Sequence, residues 1–511
     1  MTAGAFDYVV VGGGSAGAIA AARLAEDPEV SVCLLEAGPS DEGDPRILEI
    51  ARWADLAGSE LVRSYGIEAA ADANAGLQHS RAFVLGGCGS HNQGIAFRAP
   101  SADLRRWEEL GATGWGPEGT RPYFDRVLGR VHLEEAAREN QCAATFVAAA
   151  VEAGYPLISF EDPDFAECVG WLRLNARDGL RQSSSVAYLH PLGDSPPNLA
   201  IRTETTALRL VLQGNRVTAV ETTGGRVEAL RETVVSCGAF ESPKLLLLSG
   251  IGPVSELERL GISPCVDLPG VGENLLDHPE ATVIWAATRP VPLDAVQNWE
   301  SALFARTDSS LENPDVMIHF GTMPALEEYL PPGLPPAEHA FWMTPSVNRP
   351  TSVGRLGLRS ADVSAPPTLE FRYYADPRDA DVMLEGLRIC RRLADTAPLR
   401  DWVERELIPG VGVRSDEALL DYARHYGTTV HHPAGTCRMG NADDELAVVD
   451  PSLRVRGVEC LRVADASVFP AMIGVNPNLT CMMIGEKCAD LIQGTGRSQS
   501  SSASTIASTM P

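Results

Sequence analysis

The 511-residue sequence has little positive charge for its length, and this deficit argues against some classes of binding partner. Lysine and arginine total 42, against 68 aspartate and glutamate residues, which gives a formal net charge of −26. Such a charge repels the phosphates of nucleic acids and of anionic membranes, and it slightly favours a cationic ligand. We therefore expect neither a nucleic-acid partner nor a membrane partner.

Long hydrophobic runs, an N-terminal targeting pattern and paired cysteine motifs are also missing. The longest run of large aliphatic residues is the four leucines at 245–248, whereas a membrane-spanning helix needs about 20 apolar residues. Residues 1–7 contain no basic segment of the kind that opens a secretion signal. The eleven cysteines form no Cys-x-x-Cys pair, so neither a disulfide framework nor a zinc site is expected. These absences predict a cytoplasmic protein.

The residues that are present describe a folded globular protein with a nucleotide-binding start. Hydrophobic residues make up 44% and charged residues 22% of the chain, which is an ordinary globular composition. The chain is too long for one compact core, so we expect at least two domains. An apolar β-branched run at 6–11, an alanine-rich run at 15–27 and a second apolar run at 31–35 predict strand, helix and strand.

The turn between the first strand and the helix reads GGGSAG over residues 12–17. Gly12 permits the tight turn, Gly14 lets the backbone approach a pyrophosphate, and Gly17 allows close packing of the helix on the strand. Ser15 begins the helix, whose free N–H groups point at the phosphates. Glu36 ends the second strand, where a carboxylate accepts hydrogen bonds from ribose hydroxyls. The turn predicts a dinucleotide site without separating FAD from NAD.

Three further segments resemble signature sequences of the glucose–methanol–choline (GMC) oxidoreductase family. They read VLGGCGSHN at 84–92, GAFESPKLLLLSGIG at 238–252, and VADAS at 463–467 followed by NPN at 476–478 and GE at 485–486. With the dinucleotide turn, these segments extend the resemblance over nearly the whole chain, to about Gln493. Within the family, the resemblance is strongest to members that oxidise choline. It implies FAD as the cofactor and not a dissociable nicotinamide.

The resemblance also implies the fold class, which combines α/β and α+β architecture. We expect a Rossmann-like FAD-binding domain, of the type shared by GMC enzymes and p-hydroxybenzoate hydroxylase, with an inserted substrate domain built on an antiparallel sheet. Because short strands at 233–236 and 461–465 lie far from the first unit, the FAD-binding domain is expected to be discontinuous, over 1–145, 196–283 and 430–493. The substrate domain is expected over 146–195 and 284–429. Residues 494–511 are low in complexity and predict a disordered tail.

Several residues are assigned to the flavin by the resemblance. The backbone of Gly87 would lie against the flavin, and Asp465, at a strand end, would bond its ribityl or phosphate portion. His91 falls where choline-oxidising members attach FAD covalently through a histidine, although a non-covalent histidine packed on the flavin stays open. The other positions that the resemblance assigns to the cofactor are Asn92, Ala466, Asn476 and Pro477.

The catalytic pair is also implied by the resemblance. Residues 428–436, TTVHHPAGT, resemble the active-site loop of the family, and His432 falls on its catalytic histidine. A neutral imidazole accepts a hydroxyl proton near pH 7. Asn476 falls on the partner residue, whose amide bonds the substrate oxygen. His431 and His425 raise the question of a metal, but no carboxylate or cysteine completes a tetrahedral set. We expect no metal site and a structural His431.

The substrate end carries two agreements with the choline-oxidising members and two departures. Glu300, beside Trp299, falls where a glutamate faces the trimethylammonium group, and a carboxylate there binds a cation. Arg349 stands where those members have an active-site histidine; an arginine can pair with Glu300 and quench it, or bind a hydroxyl-rich or anionic substrate. Gln93 replaces a serine. Val430 matches an apolar residue near the flavin, which leaves room for oxygen.

These observations predict FAD-dependent oxidation of an alcohol to an aldehyde or ketone by hydride transfer to flavin N5. The expected substrate is a polar or amine-bearing primary alcohol, choline-like or an amino sugar, with oxygen as acceptor. The alternative is an FAD-dependent sugar or alcohol dehydrogenase with another electron acceptor. A flavin-binding lyase or a non-catalytic flavoprotein is a third reading, against which the presence of both His432 and Asn476 argues. A homodimer is left open.

Overall fold

A computed structural model of the chain describes residues 2–68, 76–193, 196–293, 297–326, 330 and 334–506, with the side chains of 2–3 and 495–506 left out. Its α-helices are α1 (Gly17–Leu24), α2 (Pro45–Leu48), α3 (Ser101–Glu109), α4 (Pro117–Leu128), α5 (Gln141–Glu152), α6 (Gly238–Leu248), α7 (Val254–Arg259), α8 (Pro377–Ala394), α9 (Ala397–Arg400), α10 (Asp416–Tyr426) and α11 (Asn478–Ile506). Short 3₁₀ or π turns cover Ile50–Leu56, Gly87–Ser90, Ser185–Leu189, His190–Leu192 and Ala466–Val468.

The strands of the described ranges are β1 (Thr2–Val11), β2 (Val32–Leu35), β3 (Val62–Gly66), β4 (Gln78–Ala82), β5 (Glu134–Glu135), β6 (Leu157–Ser159), β7 (Cys168–Trp171), β8 (Arg173–Leu174), β9 (Ala176–Arg177), β10 (Leu180–Arg181), β11 (Leu199–Arg202), β12 (Ala207–Gln213), β13 (Arg216–Thr222), β14 (Gly225–Val235), β15 (Ile251–Gly252), β16 (Val266–Asp267), β17 (Glu273–Leu275), β18 (Pro279–Glu280), β19 (Val283–Ala287), β20 (Trp299–Ala305), β21 (Val316–Gly321), β22 (Ala340–Val347), β23 (Gly354–Gly357), β24 (Thr368–Glu370), β25 (Val403–Ile408), β26 (Thr428–Thr429) and β27 (Leu461–Val463).

The first large sheet is mainly parallel and joins strands from distant parts of the chain. Its order is β11-β2-β1-β14-β13-β12, with β27 also paired to β14. Strands β11, β2, β1, β14 and β27 run parallel, whereas β12 and β13 add an antiparallel edge. Residues 9–11 are at most 2% exposed because both faces of the sheet are covered, so this part of β1 is apolar throughout instead of alternating.

The second large sheet is mainly antiparallel and carries the substrate-side residues. Its order is β25-β19-β22-β21-β20-β7-β6, and β18 connects it to β26. Only the β6–β7 pair in this described sheet is parallel. Helix α8 packs on β22, and it begins where the carboxylate of Asp376 accepts the backbone N–H of Arg378 and Pro377 takes the first helical position. This sheet is the antiparallel sheet that the resemblance implies.

Helix α11 differs from the sequence-based expectation at its C-terminal end. The sequence predicts a disordered tail from residue 494, whereas the helix runs from Asn478 to Ile506. Residues 507–511 of the predicted tail lie outside the described residues, so disorder in that segment stays a prediction. Among the described residues, no helix has the length and apolar character needed to cross a membrane.

Candidate active site

The glycine-rich turn joins the carboxyl end of β1 to the start of α1. Gly12 has a φ of 99°, and a Cβ on it would lie 2.4 Å from the carbonyl oxygen of Ser236 at the end of β14. A Cβ on Gly17 would lie 2.0 Å from the carbonyl oxygen of Gly12. Both positions therefore require glycine for steric reasons, and the turn can keep its backbone open toward a ligand.

A second glycine contact brings residues 86–91 against this turn. Gly87 has a φ of 56°, and a Cβ on it would lie 2.7 Å from the Cα of Gly14. The two backbones come this close only because neither residue has a side chain. The cavity beside them is lined by groups from distant chain segments, including Gly12, Gly14, Glu36, Gly87, Cys88, Thr206, Cys237 and Gly238. A glycine-edged cleft at the start of α1 fits the diphosphate of FAD.

Glu36 is buried at the end of β2, where its carboxylate accepts the backbone N–H groups of Gly13 and Gly38, each at 2.8 Å. Burial raises the pKa of this carboxyl group. The side chain also lines the cavity, in the position expected for a ribose ligand. Ser15, by contrast, donates its hydroxyl to the Oδ1 of Asn478 at 2.7 Å, which ties the start of α1 to the start of α11.

Asp465 holds the part of the cavity wall that Gly238 forms. It follows β27, and its carboxylate accepts the N–H of Gly238 at 2.9 Å, the hydroxyl of Ser242 at 2.5 Å and the N–H of Ser467 at 2.8 Å. These bonds fix the ends of β14 and β27 beside each other, and burial raises the pKa of the carboxyl group. Ala466 accepts the N–H of Gly435 at 3.0 Å, which connects this turn to the active-site loop. The cofactor contacts of Asp465 and Ala466 stay predictions.

The segment that carries His91 is held by a buried arginine. Arg181 donates to both the backbone and the side-chain oxygens of Asn92, and to the carbonyl of Ile47 at 2.8 Å. The Oδ1 of Asn92 also accepts the N–H of Gly94 at 2.9 Å, so this amide shapes the loop. Burial, Arg81 and Arg181 lower the pKa of His91 to about 4. The imidazole is therefore neutral near pH 7.

The predicted catalytic pair lies together, although its members are 44 residues apart. The Nδ2 of Asn476 lies 3.4 Å from the Nε2 of His432. The other ring nitrogen, Nδ1, lies 2.9 Å from the Nδ1 of His278. Burial lowers the pKa of His432 well below its usual value, and His278 and Arg81 lower it further. A neutral imidazole and an amide donor thus lie within reach of each other, and their catalytic roles stay predictions.

The backbone of the active-site loop is anchored by Asp277. One carboxylate oxygen accepts the N–H of His432 at 2.8 Å. The other accepts the hydroxyls of Tyr373, at 2.6 Å, and of Thr429, and it lies 3.3 Å from the Nε2 of His79. Burial raises the pKa of Asp277 to about 6, while burial and then His431 and Arg81 lower the pKa of His79. This carboxylate fixes where His432 stands.

Glu300 lies on β20, on the substrate side, and is 2% exposed. The ring of Trp299 contacts that of His319 edge to face, with centroids 6.2 Å apart. The indole N–H of Trp53 donates to the carbonyl of residue 297 at 3.1 Å, which brings a further aromatic ring to the same end of the strand. Burial lowers the pKa of His319 to about 4. Glu300 is therefore a buried acidic residue on a strand whose first residue, Trp299, contacts a neutral His319.

Arg349 forms an ion pair with an aspartate, and its predicted contact with substrate stays a prediction. Its guanidinium forms two hydrogen bonds to Asp103, at 2.8 and 3.1 Å, and a third to the carbonyl of Pro314. Asp103 also accepts the N–H of Gly474 at 2.8 Å, so the ion pair clamps α3 to two loops. The structure thus pairs Arg349 with Asp103 and not with Glu300. The sequence could not indicate this, because the partners lie 246 positions apart.

Val430 and Gln93 are half-buried, and the backbone N–H of Val430 donates to the carbonyl of His278 at 3.1 Å; their substrate roles stay predictions. The loop is not extended at His431, whose φ is 61°. Its ring packs edge to face on that of His79, with centroids 5.5 Å apart, so adjacent histidines contact different partners.

In the part of the chain that the structure describes, no group of three His, Cys, Asp or Glu residues is placed to hold a metal.

Sequence reasoning missed Arg181, Asp277 and His278. The only signal for the last two is the dipeptide Asp277-His278, which follows an apolar run and precedes a proline, just as His432 precedes Pro433. Nothing in the sequence around Arg181 marks it as the support of residues 89–94. These three residues act through partners that are 70 to 195 positions away.

Comparisons with known proteins agree with this geometry. Two family models, each described as GMC oxidoreductase, match residues 6–280 and 350–485. Choline oxidase of Arthrobacter globiformis is 43% identical over 525 residues, which cover 98% of this chain and 96% of that protein. The mitochondrial choline dehydrogenase of Homo sapiens is 34% identical, covering 96% of this chain and 90% of that protein.

Solved structures agree in fold. Pyridoxine 4-oxidase from Mesorbium loti has a TM-score of 0.87 at 31% identity and covers 95% of this chain and 98% of its own. Formate oxidase from Aspergillus oryzae RIB40 has a TM-score of 0.86 at 27% identity and covers 98% of this chain and 100% of its own. The predicted fold class, family and FAD cofactor are confirmed. The chain therefore belongs to the GMC oxidoreductase family, and it is an FAD-dependent alcohol oxidoreductase.

Proposed function

We propose that the chain oxidises a small cationic primary alcohol of the choline type to its aldehyde, with molecular oxygen as electron acceptor. The observation that carries the substrate class is the buried carboxylate of Glu300 beside Trp299. A buried carboxylate and an indole face bind an ammonium group through charge and cation–π attraction together. The pairing of Arg349 with Asp103 supports this, because that cation then has its own counter-ion. The relatives named for choline support the same class.

In this proposal, His432 accepts the hydroxyl proton of the substrate at Nε2. Asn476 donates an amide hydrogen bond to the same oxygen as negative charge develops on it. Bound FAD supplies the hydride acceptor. The low pKa that burial gives to His432 keeps the ring neutral and its lone pair available at neutral pH. A neutral His319 adds no positive charge that would repel a cationic substrate.

We also propose that His91 carries the flavin covalently. Only a neutral imidazole has the lone pair that forms such a bond, and the pKa of about 4 keeps His91 neutral across the physiological range. The hydrogen bonds of Arg181 to Asn92 and Gly89 hold the loop on both sides of this residue. A held loop keeps the ring in one place relative to the cavity edge at Gly87.

The proposal assigns FAD binding to 1–145, 196–283 and 430–493, and substrate binding to 146–195 and 284–429. It is supported by two large clusters of buried apolar residues, one centred on each large sheet. The first cluster also contains residues within 160–189, 302–317 and 356–371, which the proposal assigns to substrate binding. We further propose a cytoplasmic location and a homodimeric assembly. Size-exclusion chromatography with light scattering tests the assembly directly.

The substrate class is tested by anaerobic mixing of the holoenzyme with a panel of alcohols. The panel contains choline, its neutral isostere with tert-butyl in place of trimethylammonium, an amino sugar and a simple alkyl alcohol. We expect choline to bleach the flavin fastest and air to restore the colour with formation of hydrogen peroxide. Bleaching without peroxide, but with turnover of an artificial acceptor, would make the enzyme a dehydrogenase.

The role of Glu300 is tested by Glu300→Gln, which keeps the shape and removes the charge. We expect the preference for choline over its neutral isostere to fall about 10- to 100-fold in kcat/KM, equivalent to roughly 1.4–2.8 kcal/mol. Turnover of the neutral isostere should change little. The matched control is Glu338→Gln, an exposed acid just before β22, which should leave the preference intact. An unchanged preference in Glu300→Gln would refute the cation site.

A further inference from the structure

His278 is a fully buried histidine whose two ring nitrogens have partners of different kinds. Its Nε2 lies 3.0 Å from the carbonyl oxygen of Asn348 and 2.9 Å from that of Ile473. Carbonyl oxygens accept hydrogen bonds and cannot donate them. The Nε2 of His278 must therefore carry a hydrogen, which it shares between two backbone acceptors from separate loops.

The second nitrogen of His278 follows from the first. A neutral imidazole has one N–H and one lone pair, so with Nε2 protonated the lone pair is on Nδ1. Burial lowers the pKa of His278 to about 4, in keeping with a neutral ring. The Nδ1 of His278 lies 2.9 Å from the Nδ1 of His432, and the rings meet nearly perpendicular at 84°. A short N–N contact needs one hydrogen, so His432 must donate it.

The tautomer of His432 is then determined as well. With its hydrogen on Nδ1, the lone pair of the neutral ring is on Nε2. That atom lies 3.4 Å from the Nδ2 of Asn476, a nitrogen that can only donate. The contacts of two backbone carbonyls with His278, of His278 with His432 and of His432 with Asn476 thus assign every ring hydrogen without conflict. The order of donors would be broken if any one of them were reversed.

We propose that His278 is a positioning residue that sets the tautomer of His432, so that the Nε2 lone pair always faces the substrate hydroxyl. The inference rests on the proposed role of His432 as the base. Without His278, the hydrogen of a neutral His432 can occupy either nitrogen, and the fraction with Nε2–H cannot accept the proton. Asp277 complements this role, since it fixes the backbone N–H of His432 and leaves the choice of ring tautomer to His278.

The substrate-free holoenzyme provides the first test. With ¹⁵N-labelled histidine, ring nitrogens that carry a hydrogen separate in chemical shift from those with a lone pair, and the His432→Gln spectrum identifies the His432 signals. We expect a protonated Nδ1 and an unprotonated Nε2 on His432 near neutral pH. An Nε2–H tautomer in the wild-type enzyme overturns the proposal. This reading needs no turnover, so it stands even if no alcohol in the panel reduces the flavin and the proposed function fails.

Variants provide the second test. In His278→Gln, the amide keeps a donor for the two carbonyls and an oxygen that accepts from His432; in His278→Leu both are lost. We expect His278→Leu to slow anaerobic flavin reduction about 10²-fold, to leave substrate Kd within a few-fold, and to give mixed His432 tautomers. His278→Gln should recover most of the rate and restore the single tautomer. Equal rates and one tautomer in His278→Leu would refute the proposal.

The matched control is Ser346→Ala. The Ser346 hydroxyl is buried near the end of β22, where it bonds the Oδ1 of Asn348 at 2.7 Å and contacts neither imidazole. Its loss should lower stability without changing the tautomer of His432 or the reduction rate. If Ser346→Ala instead reproduces the tautomer mixture of His278→Leu, general loosening of the site and not the hydrogen-bond order sets the tautomer, and the proposal is wrong.

Discussion

Replacing His432 with alanine isolates the proton-transfer step from cofactor binding. The imidazole is bonded to His278 and lies 3.4 Å from the Nδ2 of Asn476, whereas the glycine-edged cleft at Gly14 and Gly87 lies on other segments. We therefore expect His432→Ala to retain FAD. A general base contributes about 10²–10⁴-fold, or roughly 3–5 kcal/mol, and flavin reduction should slow by that factor. The lost partner of His278 should also cost about 1–3 kcal/mol of stability.

In the proposed mechanism, Asn476→Ala removes a donor to the same substrate oxygen, and we expect a loss of about 10²–10³-fold in the rate of flavin reduction. Because both side chains are proposed to act on one atom, the rate loss in the double variant should be smaller than the product of the two single losses. The assay is anaerobic stopped-flow, which follows flavin absorbance after mixing with saturating alcohol. Additive losses would mean that His432 and Asn476 act on different steps.

His431→Asn is the internal control for this experiment. Asparagine tolerates the φ of 61° at this position, so the variant removes the ring contact with His79 and little else. We expect lower stability with a reduction rate close to that of the wild-type enzyme. If flavin reduction stays fast in His432→Ala and becomes slow in His431→Asn, then His431 and not His432 is the base, and the assignment is wrong.

Three further outcomes follow from the structure. His91→Ala should lose its yellow colour on acid precipitation while the wild-type polypeptide keeps it; a wild type that releases all its flavin contradicts the covalent bond. Gly87→Ala should purify with little flavin in its visible spectrum, because its Cβ would lie 2.7 Å from the Cα of Gly14, whereas Gly154→Ala, also at positive φ but with no atom within 4 Å, should purify yellow. His319 has its pKa lowered to about 4, below the unfolded value of about 6.5, so its burial costs stability as pH falls from about 6.5 to 4. His319→Gln should therefore lose about 3 kcal/mol less than the wild type over that window in urea unfolding, and equal acid sensitivity would refute the shift.

The parts of the site that the sequence predicted are those whose chemistry is local. The turn at 12–17 and Glu36 belong to one strand–helix–strand unit. The glycines that the turn needs for steric reasons can be recognised in the sequence from their spacing alone. His432 and Asn476 were reached through resemblance, because nothing near either residue reveals the other. The structure places them 3.4 Å apart, and only the pairing of distant segments could do so.

Arg349 illustrates what could not be predicted. Its position, by resemblance to the choline-oxidising members, suggested a residue of the substrate site. Its partner, however, depends on where α3 packs, and α3 is far away in sequence. Asp277 and His278 were missed for a related reason: a charged residue and an imidazole after an apolar run become informative only when their acceptors are known. The role of a buried polar group depends on its neighbours in the tertiary structure, and a local sequence pattern does not reveal those neighbours.

The pairing of β14 with both β1 and β27 has a consequence for how the protein is made. Residues 9–11 find their neighbours at 233–235, and those in turn at 461–463. At about 5–20 residues per second of synthesis, the last of these strands is made roughly 25–90 s after the first. Until then, Asp465 is absent and the apolar edge of β14 has no partner on that side. We therefore expect flavin uptake only once the polypeptide is nearly complete, with the edge of β14 exposed to other chains until then.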